Sequence, residues 1–190
     1  EHISGIPGDD FIKEFLPKCS ESEKSQIAKE FVKFKELCLV RLLGDMRSYN
    51  YVIIPTHDFD KIIYKIRAID FDQQSFEGNL KVYNLQFLKE NFKIVEMVNR
   101  KLDNNSINQY KLEERSFMAK RMISSPRRAS SLIECMKNDS ISFDNNIQLL
   151  KKQLIKYVGD VKFKECQNMG DILETILVFV KRNYQDVLTK

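Results

Sequence analysis

Across residues 21–43 apolar side chains return at helical spacing, and Ile27, Phe31, Phe34 and Cys38 lead into the wholly apolar 42–43 step. This pattern predicts a helix that runs into the interior and stops at Gly44, because glycine ends helices by tolerating a positive φ. A short polar stretch, residues 45–50, follows. Residues 51–54 are aromatic and β-branched and are closed by Pro55, which predicts a short strand. Beyond a turn over residues 56–60, residues 61–69 set Ile62, Tyr64 and Ile66 against Ile63, Lys65 and Arg67, the alternation of a second strand. The two strands are expected to pair as a hairpin.

The period changes after Gly78. Leu85, Leu88, Phe92, Val95, Val98 and Leu102 recur at three and four, which predicts a helix broken by residues 104–106. Ser106 as N-cap, with Gln109 three residues on, predicts a second helix through Ile107, Tyr110, Phe117, Met118 and Met122. Pro126 suits the first position of a third helix. Two more are expected at about 143–158 and 170–188, the last turning Ile172, Ile176, Phe179, Val180, Tyr184 and Val187 inward. Residues 3–10, with Gly5, Pro7 and Gly8, read as an irregular lead-in. The expected fold is mainly α (α+β): a single domain over 1–190 with the lead-in at 1–10, a helix and small β-hairpin within 11–78, and a helical bundle over 79–190.

Composition narrows the function. With 43% apolar residues, 13 Phe and 7 Tyr, 190 residues suffice for a sizeable core. A net charge of +4 from interspersed basic and acidic residues gives no footprint for nucleic acid, so no nucleic-acid partner is expected. Cys19, Cys38, Cys135 and Cys166 form no C-x-x-C pair, and His2 and His57 have no zinc-cage spacing, so reduced thiols are expected. The longest apolar run, residues 176–180, is far below the roughly 20 residues a bilayer-spanning helix needs. A cytoplasmic protein without a membrane partner is the expectation.

Candidate chemistry gathers around the hairpin. Leu43, Gly44, Asp45, Met46, Arg47, Ser48, Tyr49 and Asn50 precede it, and Ile69, Asp70, Phe71 and Asp72 follow it. Phosphoryl transfer needs a carboxylate to accept a hydroxyl proton, and hard oxygen ligands to hold Mg²⁺ against nucleotide phosphates. An Asp and an Asn five residues apart, then an Asp at the end of a strand, supply these groups in order.

This order resembles the protein-kinase-like superfamily, in its aminoglycoside and choline phosphotransferase branch, where the loop reads H-G-D-x-x-x-x-N and is followed by I-D-F or I-D-W. The resemblance covers residues 21–75 and implies the helical large lobe of that fold. It implies that Asp45 is the catalytic base, that Arg47 is a cation steadying the phosphoryl group, and that Asn50 and Asp70 bind the ATP-bound Mg²⁺, with Asp72 a further metal candidate. ATP and a hydroxyl acceptor would be the partners. The family's His is Leu43 here, and neither a G-x-G-x-x-G loop nor a strand Lys paired with a helix Glu precedes the motif. The resemblance is thus to a carboxy-terminal lobe, the amino-terminal lobe lying in a longer protein, lost from a short degenerate one, or supplied by a second chain.

Other readings compete. Asp70 and Asp72 match the D-x-D of a haloacid-dehalogenase-like phosphatase, but that fold needs alternating strands and helices, which the chain after Gly78 does not offer. Thr56, His57 and Asp58 read as an ordinary turn. Arg127, Arg128, Ala129 and Ser130 resemble a basophilic phosphorylation site, yet with Lys120 and Arg121 they suit a solvated helix surface. A non-catalytic, pseudokinase-like interaction module is the alternative function.

Overall fold

The computed structural model describes residues 4–59 and 61–188, so His2 and Ile3 of the lead-in, Asp60 of the turn and the side chain of Val187 lie outside the described residues. Helix α2 (Glu21–Val40) opens with a capping box. Ser20 Oγ accepts from the Glu23 amide at 3.3 Å, and the Ser20 amide donates to Glu23 Oε2 at 2.8 Å. Its Ile27, Ala28, Phe31, Val32, Phe34 and Cys38 are buried.

The helix ends at Val40, earlier than expected, and Gly44 does not take the left-handed turn. Leu42 does, at φ 51°. The reason lies in the core, which forms two clusters: Leu42 joins one with Tyr83, Leu150, Phe163 and Ile172, while Leu43 joins the other with Phe31, Tyr51, Ile53 and Ile94. Both leucines are almost wholly buried. A left-handed residue costs about 1–2 kcal/mol, and burying a leucine returns about 1.5–3 kcal/mol, so a turn that sends neighbouring side chains into different clusters holds. Gly44 is needed for space instead: a Cβ there would stand 2.7 Å from the Gln73 carbonyl oxygen.

Strands β1 (Ile6–Pro7), β2 (Tyr51–Asp58) and β3 (Lys61–Ala68) make one antiparallel sheet in the order β1-β2-β3. The register pairs Tyr51 with Ala68 and Asp58 with Lys61. Part of the lead-in, expected to be irregular, is therefore an edge strand, followed by one turn of helix α1 (Gly8–Asp10). Strand β2 also continues past Pro55. Because β1 covers only Val52 and Ile53, Pro55 sits where β2 has an open side, a position that tolerates the ring.

The segment from Leu85 does not form one helix. It winds through 3₁₀ turns at Leu80–Tyr83, Leu85–Phe87 and Lys89–Asn91 before helix α3 (Phe92–Lys101) begins. Asn84 and Leu88 are extended, and Asn91 draws the backbone aside by donating to the Leu85 and Met46 carbonyls. Helix α4 (Asn104–Ser124) is capped by Asp103, whose Oδ1 accepts from the Ser106 amide at 2.7 Å; Ser106 is inside the helix, not its cap. Helices α5 (Pro126–Asn138), α6 (Asp144–Val158) and α7 (Met169–Leu188) follow, with Gly159 at φ 79° closing α6. The architecture is mainly helical with one small sheet. Among the described residues no helix is long and apolar enough to cross a membrane. All four cysteines are free thiols; Cys38 and Cys166 are buried.

Candidate functional site: the loop between α2 and β2

The two segments singled out in the sequence lie side by side. The Ser75 amide donates to the Leu42 carbonyl at 2.8 Å, Leu43 bridges Gln74, and Gln74 Nε2 donates to the Arg41 carbonyl at 3.3 Å. At the other end the Ile69 amide donates to the Asn50 carbonyl at 3.0 Å. Residues before the hairpin and residues after it are stitched at both ends, and Asp70 directly follows one stitch.

Within the loop Asp45 takes φ 52°. Its carbonyl accepts from the Arg47 amide and from Asn50 Nδ2, each at 2.7 Å. The 3₁₀ turn Ser48–Asn50 then delivers the chain to β2. Because a carbonyl can only accept, the Asn50 amide nitrogen must face it, and the side-chain oxygen is turned away and left for another partner. Asn50 is 8% exposed.

The loop rests on a buried polar frame that the sequence reading missed. Asn91, wholly buried, donates to the Met46 carbonyl at 3.0 Å and accepts from the Tyr51 hydroxyl at 3.0 Å. Burial pushes the Tyr51 phenol well above its usual range, so it remains a donor. The only signal for Asn91 was a polar residue inside an apolar periodicity, which helix surfaces show routinely. Ser75, left-handed at φ 56° and wholly buried, leaves its hydroxyl without a partner.

Arg47 Nε donates to Asp45 Oδ1 at 2.7 Å, and Nη1 to Glu90 Oε1 at 3.3 Å. The Asp45 side chain is 34% exposed. As a base Asp45 is expected to be accessible and unpaired; the structure keeps the access and adds an ion pair, because the tight turn from Asp45 to Arg47 brings the guanidinium back over the carboxylate. Hydrogen bonding to Asp45, then its charge and those of Tyr49 and Glu90, push the Arg47 pKa up.

Asp70, half-buried, accepts from the Asp72 amide at 3.0 Å through Oδ1, leaving Oδ2; Asp72 is exposed and contributes backbone there. Among the described residues no group of three or more His, Cys, Asp or Glu side chains converges on a common point. The donors that remain, an amide oxygen at Asn50 and one carboxylate oxygen at Asp70, are hard ligands of the kind Mg²⁺ accepts alongside phosphate oxygens and water. They do not form a complete protein cage.

The weaker candidates lie apart from this loop. Thr56, His57 and Asp58 are exposed on the outer part of β2. Arg127 and Arg128 are exposed in the first turn of α5, while Arg121 lies 4.3 Å from the centroid of the Phe117 ring and Lys120 5.9 Å from that of Tyr184. Neither the 640 Å³ cavity between α4 and α7 nor the 330 Å³ cavity beside Cys166 is lined by Asp45, Asn50 or Asp70. Compared with protein-family models, curated proteins and solved structures, the chain finds no match in any of the three.

Proposed function

We propose that the chain is the helical large lobe of a kinase-like phosphotransferase, which moves the γ-phosphoryl of ATP to a hydroxyl acceptor in concert with a nucleotide-binding lobe outside these 190 residues. The observation that carries this reading is the stitching of residues 42–50 to 69–75, which sets the segment bearing Asp45 and Asn50 beside the segment bearing Asp70 at the ends of β2 and β3. Such transfer depends on positioning and charge stabilisation more than on covalent chemistry. A rigid edge that presents hard oxygens beside a carboxylate is suited to it.

In this reading Asp45 takes the acceptor's hydroxyl proton. Arg47 occupies Oδ1, which leaves Oδ2 to face the acceptor, and the bonds to the Asp45 carbonyl fix the direction of approach. Arg47 also places a permanent positive charge beside the position of the transferring group. Asn50 and Asp70 would hold Mg²⁺, which when bound neutralises phosphate charge; Asp72 supports Asp70 through its amide. The loop carbonyls of Asp45 and Met46 accept from the Asn50 and Asn91 side-chain amides, so replacing the family's His by Leu43 removes one organiser while the Asn91 frame supplies another.

A second reading, a non-catalytic interaction module, draws on one observation: Asp45 is already paired with Arg47, which is itself paired with Glu90. The experiment that separates the two uses the longer protein the proposal implies, with ATP and Mn²⁺ in place of Mg²⁺. Paramagnetic broadening should reach the Asn50 side-chain amide and the Asp70 amide together. Broadening of neither, with nucleotide bound, removes the metal assignment and leaves the module. The 190 residues alone are expected to give no ATP-dependent transfer, and robust turnover by them would overturn the two-lobe reading.

A further inference from the structure

Lys35 occupies an unusual place on α2. Its ammonium donates to Gln86 Oε1 at 2.7 Å and forms no ion pair among the described residues. Around it lies a cavity of 370 Å³ between α2, the 3₁₀ turn Leu85–Phe87, α3 and the start of α4. Its floor is apolar: Phe31 is 1% exposed, Val32 3% and Val98 6%. Phe87, half exposed, forms the rim, and Lys81 stands 5.6 Å from its ring centroid. A lone ammonium at the edge of an apolar cavity is costly unless something returns the lost hydration. Gln86 uses one of its three protons and offers a neutral acceptor in place of a charge.

We infer that this cavity is a binding site for a small amphipathic carboxylic acid, an aliphatic or aromatic monoanion whose carboxylate meets Lys35 and whose hydrocarbon body lies on Phe31, Val32, Val98 and Phe87. The cavity is in the size range of small-molecule sites, and its mainly apolar lining with a single cation, Lys35, and two amides, Gln86 and Asn99, is the composition such sites show. An anion would give Lys35 the direct ion pair it lacks among the described residues, since Glu36, a carboxylate whose charge reaches it, is committed to Arg115 at 2.6 Å, and Lys81 at the mouth adds attraction of the same sign. A neutral hydrocarbon would leave the ammonium uncompensated. A dianion would bring a second charge against the apolar floor. Burial, and then the nearby Lys111 cation, hold the Lys35 amine below its usual range, and a bound carboxylate would reverse that shift. The site stands apart from Asp45 and does not rest on the phosphotransfer reading.

Octanoate and octanol separate the charge from the hydrocarbon. Titrated into the 190-residue chain with amide chemical shifts as the readout, octanoate should bind at Phe31, Val98 and Phe87, and about 10-fold more tightly than octanol. Lys35→Met keeps the stem and removes the charge; it should weaken octanoate about 10-fold and leave octanol unchanged. Should Lys35→Met not fold, Gln86→Leu with Lys35 intact should still prefer octanoate to octanol. Equal affinities for acid and alcohol, octanoate binding indifferent to Lys35→Met, or shifts located elsewhere would each overturn the assignment.

Discussion

Arg47 and Lys35 sit on either side of the end of α2 and meet opposite fates. Arg47 faces two carboxylates, Asp45 and Glu90, and its side chain is 40% exposed. Lys35 faces a neutral amide within an apolar cleft. The contrast follows from the backbone: the left-handed Asp45 turn folds acidic and basic residues of one loop onto each other, whereas α2 fixes Lys35 on a face whose neighbours are Phe31 and Val32. A charge whose partners are local belongs to the shape of its loop. One without an ion pair of its own is where the molecule has room for something else.

The sharpest way to break this comparison is at Asp45. In the two-lobed enzyme proposed above, Asp45→Asn would keep the size and the backbone bonds but could not take a proton, so kcat should fall by about 10²–10⁴-fold with folding and nucleotide binding intact. A lower melting temperature with unchanged activity per folded molecule would instead make Asp45 a structural residue. Next in size is Asn91→Ala, which strands the Tyr51 hydroxyl and the Met46 carbonyl in the core. Thermal melting should show a loss of about 3 kcal/mol, or roughly 6–12 °C for a domain of this length. Gly44→Ala should cost about 1–3 kcal/mol, because the added methyl must displace the Gln73 carbonyl; denaturant midpoints measure it.

The smallest effects separate the two cations by sign. Lys35→Met should raise the melting temperature. The Lys35 pKa is lowered in the folded state, so its charged form is disfavoured there; the penalty is full below the folded pKa and fades as pH rises toward the unfolded value of about 10.4. The gain from Lys35→Met should therefore be present at pH 7, shrink as the pH rises toward about 10 and be lost above that. Arg47→Ala removes an exposed pair and should leave the melting temperature within about 1 °C at physiological salt. If Lys35→Met lowers the melting temperature at pH 7, or Arg47→Ala raises it as much as Lys35→Met does, the contrast between paired and unpaired cations fails.

Much of the architecture could be read from spacing alone. The helix from Glu21, the hairpin, and the three closing helices follow from apolar periodicity with Pro126 as punctuation. What escaped was decided by distant contacts. Leu88, Phe92 and Val95 kept helical spacing through a stretch that Asn91 bends, because its side chain serves the Met46 and Leu85 carbonyls, one of them forty-five residues away. Gly44 was chosen as the turn by its identity, but the division of the core gave that conformation to Leu42. The candidate site was legible as a list of residues. The pairing of Arg47 with Glu90 as well as Asp45, and the wholly buried Asn91 amide beneath the loop, depend on residues from the segment before α3 that no local pattern marks.

The double stitch at the base of the hairpin has a practical side. With the Ile69 amide held by Asn50 and Ser75 held by Leu42, the geometry around Asp45 and Asp70 is closed off from whatever happens at the far end of β2 and β3. Phe59, at that end, is fully exposed. The hairpin is thus a handle: a fluorescent tag or a short graft spliced after Phe59 would ride on the protein as cargo without bending the loop.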